Sequence, residues 1–237
     1  NLIVSAVGNL EHGNVRRLIA ERFGHLRSAD GPSLEVPPQV VPKVLIRQKE
    51  LEQSHVCLGT SSYQQDHENR YASYVLNTLL GGSMSSRLFQ NVREKRGLAY
   101  AVFSGMSAYR DAGSFTIYAG CANEAVGEVV DLVVEEMRGV KQAPVPDAEL
   151  QRAKDHLKGS LMLSLENTAS RMSHIARQEI YFNRQVGLDE TLEGVERVTA
   201  ADVQQVATDL FQNGSMSATV LGNVNGLQIP HARLDLQ

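Results

Sequence analysis

The segment from Gly81 to Gly105, GGSMSSRLFQNVREKRGLAYAVFSG, limits what this chain can fold into more than any other stretch. The Gly81-Gly82 pair lets the backbone turn sharply and approach a neighbour closely. Ser83, Ser85 and Ser86 follow, residues that cap a helix and satisfy its first free amides. The pattern predicts an amphipathic helix from about Ser85 to Lys95, with Leu88 and Val92 one turn apart on the core side. Arg93 falls near its C-terminus, where a cation is favoured. Gly97 breaks the helix and Tyr100 begins a strand. Taken alone, these residues describe a helix–strand corner, with Arg93 a solvated charge and Tyr100 a half-buried strand aromatic.

The surrounding sequence supplies the rest of an α+β fold. Leu2 to Val7 reads as a short strand, and Gly13 to Phe23 as a helix with Val15, Leu18, Ile19 and Phe23 on one face. Val44 to Lys49 and Ser54 to Thr60 read as a strand pair bridged by Glu50-Leu51-Glu52-Gln53. Asp66 is the expected cap of a helix through Leu80. Ala99 to Met106 and Gly113 to Cys121 form a hairpin around Tyr109-Arg110-Asp111. Helices are expected over 124–140, over 146–165 behind Pro146-Asp147, over 168–181, and from Thr199 to near Phe211. Thr199 with Asp202 resembles a capping box. Ser217 to Leu221 closes the series as a strand. Strands and helices segregate rather than alternate, so the sheet should be largely antiparallel with helices packed on one face.

Domain organisation follows from one internal echo. Val4-Ser5-Ala6-Val7-Gly8-Asn9-Leu10 resembles Ala218-Thr219-Val220-Leu221-Gly222-Asn223-Val224. If both close one repeated domain, residues 1–26 are the tail of a preceding copy. Residues 27–42, with Gly31 and four prolines, form a linker. Residues 43–225 form the complete copy, and 226–237 an irregular tail. The strand-like start without an initiator Met suggests an excerpt from something longer.

Composition excludes several classes. A net charge of −4 gives no general reason to bind nucleic acid or anionic membrane, although Arg93, Lys95 and Arg96 form a local basic cluster for an acidic or carbonyl-rich partner. No apolar run approaches the roughly 20 residues that span a bilayer. Cys57 and Cys121 read first as buried free thiols, then as a disulfide, and last as a metal pair. Free thiols suit a reducing compartment, the cytoplasm being favoured.

The run Arg93-Glu94-Lys95-Arg96-Gly97-Leu98-Ala99-Tyr100, with Ala101-Val102-Phe103-Ser104-Gly105 after it, resembles the C-terminal half of pitrilysin/insulinase-type zinc metallopeptidases. That family includes mitochondrial processing peptidase and bacterial processing proteases. The preceding Leu79-Leu80-Gly81-Gly82-Ser83-Met84-Ser85-Ser86-Arg87-Leu88-Phe89 is similar to the family's glycine-rich approach, and the likeness extends over nearly all of 43–225. The resemblance implies two homologous halves closing on an extended peptide substrate. It implies that Arg93 and Tyr100 act on the substrate near the scissile bond, with Gly81, Gly82, Ser83 and Arg87 as substrate-binding residues. Zinc is implied for the full-length enzyme, held by His-x-x-Glu-His in an N-terminal half or a homologous subunit.

None of the seven histidines, His12, His25, His55, His67, His156, His174 and His231, belongs to that motif or its reverse. No metal ligand is therefore expected in this chain, which should be inactive alone and should self-associate through the face left bare. A non-catalytic partner subunit, or a scaffold protein of a respiratory complex, is the first alternative. An unrelated α+β interaction module is the second.

Overall fold

The computed structural model describes residues 2–27 and 36–237. The linker expected at 27–42 lies partly outside these residues. Helix α1 spans His12–Phe23. The main body runs β1 (Val44–Gln48), β2 (Ser54–Ser62), α2 (Arg70–Leu80), a π-helical turn (Phe89–Glu94), β3 (Ala99–Ala108) and β4 (Gly113–Cys121). It continues through α3 (Val126–Gln142), α4 (Asp147–Ser164), α5 (Thr168–Phe182), α6 (Leu188–Glu196), α7 (Ala200–Leu210) and β5 (Ser217–Gly222). This is the expected α+β architecture, with one mostly antiparallel sheet.

The sheet order is β1-β5-β2-β4-β3. The expected β1–β2 pair is therefore corrected: β5 lies between them, parallel to β1 and antiparallel to β2. Glu50 to Gln53 crosses over β5 instead of forming a hairpin turn. Gln48 fixes this insertion, its amide donating to Asn223 Oδ1 at 2.7 Å and its Oε1 accepting from Val224 N–H at 2.9 Å.

Alternation along the strands buries one face. Val56 and Leu58 of β2, Phe115 and Ile117 of β4, Val102 of β3 and Val220 of β5 all lie under helices. Helix α3 supplies Val126, Val129, Val130, Val133 and Met137 to this core, and α7 supplies Val203, Val206 and Leu210. Their spacing puts one continuous apolar stripe on each helix. The Thr199–Asp202 capping box forms as expected: Asp202 N–H donates to Thr199 Oγ1 at 3.2 Å, and Thr199 N–H to Asp202 Oδ2 at 2.8 Å. The other face is open, with Cys57 exposed and Phe103 half exposed on it.

Further differences from the expected elements have physical causes. Leu2 to Val7 forms no strand, since none of the five strands among the described residues pairs with it. Asp66 does not cap α2; it accepts from Gln64 at 2.8 Å, and the helix begins only at Arg70. Helix α6 is additional. Cys57 is not buried, because strand alternation turns it to the open face. The chain end is not wholly irregular: a 3-10 turn spans His231–Leu234, and Leu236 is fully buried.

Candidate functional site

The site is built at the corner where α2 ends and β3 begins. Gly81 N–H closes α2 on Asn77 O at 3.0 Å, while Gly81 O accepts from Ser104 N–H of β3 at 3.1 Å. A Cβ at Gly81 would stand 2.5 Å from Ser104 N, so only glycine lets helix and strand touch here. Ser104 Oγ donates to Asn77 Oδ1 at 2.8 Å, adding a side-chain tie. Gly82 N–H also donates to Asn77 O, at 2.8 Å. Ser83 O accepts from both the amide and the hydroxyl of Ser86, at 3.1 and 2.5 Å. The Gly81–Ser83 turn thus spends its polar groups on holding the corner.

Arg87 is mostly buried and paired. Its Nε and Nη2 donate to the two carboxylate oxygens of Glu149 on α4, at 2.7 and 2.9 Å. Hydrogen bonding to Glu149 holds the guanidinium pKa above its ordinary value, against the opposing effect of burial. The structure therefore pairs Arg87 with Glu149 while Arg93 rests on Phe89 and Tyr100, and Arg87 ties the corner to α4.

The expected helix from Ser85 to Lys95 is present over 87–94, but it widens into a π turn over Phe89–Glu94. Lys95 N–H reaches Gln90 O at 2.9 Å, the i→i+5 bond of that geometry. The wider turn keeps Leu88 and Val92 fully buried. It leaves Arg93 partly exposed, its guanidinium carbon 4.8 Å from the centre of the Phe89 ring and 5.8 Å from that of Tyr100. These cation–π contacts orient the guanidinium without consuming any of its N–H donors. A carboxylate oxygen of Glu94 lies 3.9 Å from its Nε. Gly97 ends the turn at φ 64°, a left-handed conformation that favours glycine, and its N–H donates to Arg93 O at 3.0 Å.

Tyr100 sits at a second irregularity. Ala99 pairs with Cys121 and Ala101 with Gly120, so Tyr100 is the extra residue of a β-bulge. Such bulges re-aim a side chain. Tyr100 is 81% exposed as a result, a large solvent contact for an aromatic. The sequence-predicted pair Arg93 and Tyr100 is thus brought together, each by a local departure from regular geometry. Phe89 joins them as a residue that the motif alone does not single out, although its position four before Arg93 is a usable signal.

Among the described residues no three His, Cys, Asp or Glu side chains converge on one point. His55 Nδ1 lies 2.7 Å from the Tyr118 hydroxyl, His67 stacks on Tyr63 at 3.9 Å, and His174 Nε2 lies 2.7 Å from the Gln178 amide. These residues do not fit zinc. No described helix is long and apolar enough to cross a membrane.

The family model for the peptidase M16 inactive domain matches residues 1–157. An uncharacterised zinc protease of Mycobacterium tuberculosis is 36% identical over 227 residues, covering 93% of this chain and 51% of that protein. Another from Streptomyces coelicolor is 38% identical over 219 residues, covering 89% of this chain and 48% of that protein. The chain therefore spans about half the length of the curated relatives it matches. In fold it resembles the crystal structure of a peptidase M16 inactive domain from Pseudomonas fluorescens, with a TM-score of 0.82 at 22% identity, over 94% of this chain and 54% of that one. A chain of complex III from Candida albicans gives a TM-score of 0.80 at 18% identity, over 96% of this chain and 56% of that one. With well over half of its length matched by that family model, and bacterial relatives above 30% identity aligned along most of it, the chain belongs to the peptidase M16 inactive-domain family.

Proposed function

We propose that this chain is the substrate-clamping, C-terminal half of a zinc-dependent endopeptidase. The observation that carries the reading is the meeting of Arg93 and Tyr100 beside the open sheet face. A guanidinium and a phenol are fixed donors. Facing a peptide, they would hydrogen-bond its main chain and stabilise the oxyanion formed at the scissile carbonyl, each donor contributing roughly 3 kcal/mol. Gly81, Gly82, Ser83 and Arg87 then act on the substrate through the corner they hold in place.

Zinc, its ligands and the general base belong in this reading to the other half, in the same chain or in a partner subunit. Zinc there would supply an activated water. Residues 1–26 are the tail of that preceding half in this reading, and an isolated C-terminal half pairs with itself through the surface left bare. A non-catalytic partner subunit of the same fold is the second reading, kept because the fold is also that of a complex III chain.

Metal analysis separates the two. Calorimetry should find no tight zinc uptake by this chain, and the longer protein should hold one zinc per chain or per pair of homologous subunits. Stoichiometric zinc on this chain would overturn the division of labour, and a zinc-free longer protein would favour the partner-subunit reading.

A further inference from the structure

The open sheet face carries an aromatic row that the clamp does not use. Phe103 of β3 stands directly across from Tyr118 of β4, with ring centroids 5.1 Å apart. Across from Tyr118 on β2 stands Cys57, and His55 lies diagonally beside Tyr118, at 6.0 Å between rings. Phe103 is 52% exposed.

The next row along the strands is small. Gly105 stands across from Thr116, and Thr116 across from Gly59. A side chain built on Gly105 would meet nothing within 4 Å. The Thr116 hydroxyl donates to Gly105 O at 3.2 Å, and its methyl lies over Gly59. The result is a step in the sheet surface, with an aromatic wall at Phe103 and an uncharged floor at Gly105, Thr116 and Gly59. A charged guest would lose hydration here and gain no partner, whereas an aromatic guest would gain ring contacts and burial.

We propose that this step is a subsite for one large apolar side chain, aromatic above all, of an extended polypeptide. The proposal rests on the reading of Arg93 and Tyr100 as donors to the same polypeptide's main chain, because that contact lays the guest along β3. Tyr100 and Gly105 share one strand, so they are separated by roughly 16 Å at 3.3 Å per residue. An extended guest covers that distance in about five residues. The preferred apolar side chain therefore stands about five positions from the residue held at Tyr100.

The chain contains no tryptophan, so a peptide's own Trp emission reports binding without background from the protein. The probe is a blocked, Gly-Ser-rich peptide with one Trp, compared by competition with the same peptide carrying Ala there. The unaltered chain binds the Trp peptide saturably and more tightly than the Ala peptide. Phe103→Ala, and Gly105→Val filling the floor, each weaken the Trp peptide by about tenfold and leave the Ala peptide unchanged. Both positions are on the open face, and circular dichroism checks that the variants fold. Arg93→Ala weakens both peptides alike.

Unchanged Trp-peptide affinity in folded Phe103→Ala and Gly105→Val overturns the subsite, as does absence of saturable binding by the unaltered chain. If only Arg93→Ala has an effect, the clamp stands and the subsite falls. If only the two subsite variants have an effect, the subsite stands as a binding surface and the clamp falls.

Discussion

Arg93 and Arg87 differ by six positions and by their partners: one rests on two aromatic rings, the other on a carboxylate. Both are legible as candidates in the glycine-rich segment, but their partners are not, since Glu149 is far away in sequence. Arg87→Ala would leave Glu149 partly buried without its cation. It should cost about 2 kcal/mol in urea unfolding. An unchanged midpoint would return Arg87 to the direct substrate contacts. His174 offers a second residue-scale prediction. The Gln178 amide is oriented by Val186, donating to its carbonyl at 3.0 Å while Gln178 Oε1 accepts Val186 N–H at 3.0 Å. Its nitrogen can therefore only donate to His174, so the Nε2 of His174 must be unprotonated. Burial, and then Arg177, hold the His174 pKa below its usual 6.5. Below that pH the unfolded chain takes up a proton that the folded chain resists, so stability should fall as pH drops through 6.5 towards the folded value. Urea titrations above and below that range should show a slope that His174→Gln reduces; equal slopes would refute the assignment.

Elements with strong periodicity are legible in the sequence: α2, α3, α7 and the β3–β4 hairpin all lie where the apolar spacing puts them. Strand order is not, because β5 reaches its place between β1 and β2 from the far end of the chain, and no local pattern encodes a distant partner. The π turn is hidden for another reason. Leu88 and Val92 point to the core in either helical form, so the apolar pattern cannot tell them apart. The Leu2–Val7 run shows the converse, apolar residues at strand spacing with no described strand to pair with. Two element-scale predictions follow from end geometry. Thr199→Ala should destabilise by about 1 kcal/mol through loss of the α7 cap. Gly97→Ala should cost about 1 kcal/mol, since its φ of 64° burdens any Cβ. Thermal unfolding measures both, and unchanged midpoints would mean that neither end contributes to stability.

At the scale of the molecule, surface and length point the same way. Helix α1 has no buried residue, and its Leu18 and Phe23 are 52% and 46% exposed. The chain also spans only half of its curated relatives. An apolar stripe of that kind is a contact surface in waiting. The isolated chain should therefore self-associate in sedimentation velocity, with Leu18→Ser and Phe23→Ser together lowering the effect; a strictly monomeric profile in the unaltered chain would count against it. Turnover of the longer protein on a fluorogenic peptide decides whether Arg93 and Tyr100 act on the reacting peptide bond. Arg93→Ala and Tyr100→Phe should each lower kcat by about 100-fold, and Arg93→Ala should also raise KM, as expected of a donor that holds the bound main chain and acts more strongly in the transition state. A folded, zinc-loaded double variant that turns over as fast as its parent would rule out that role for the pair.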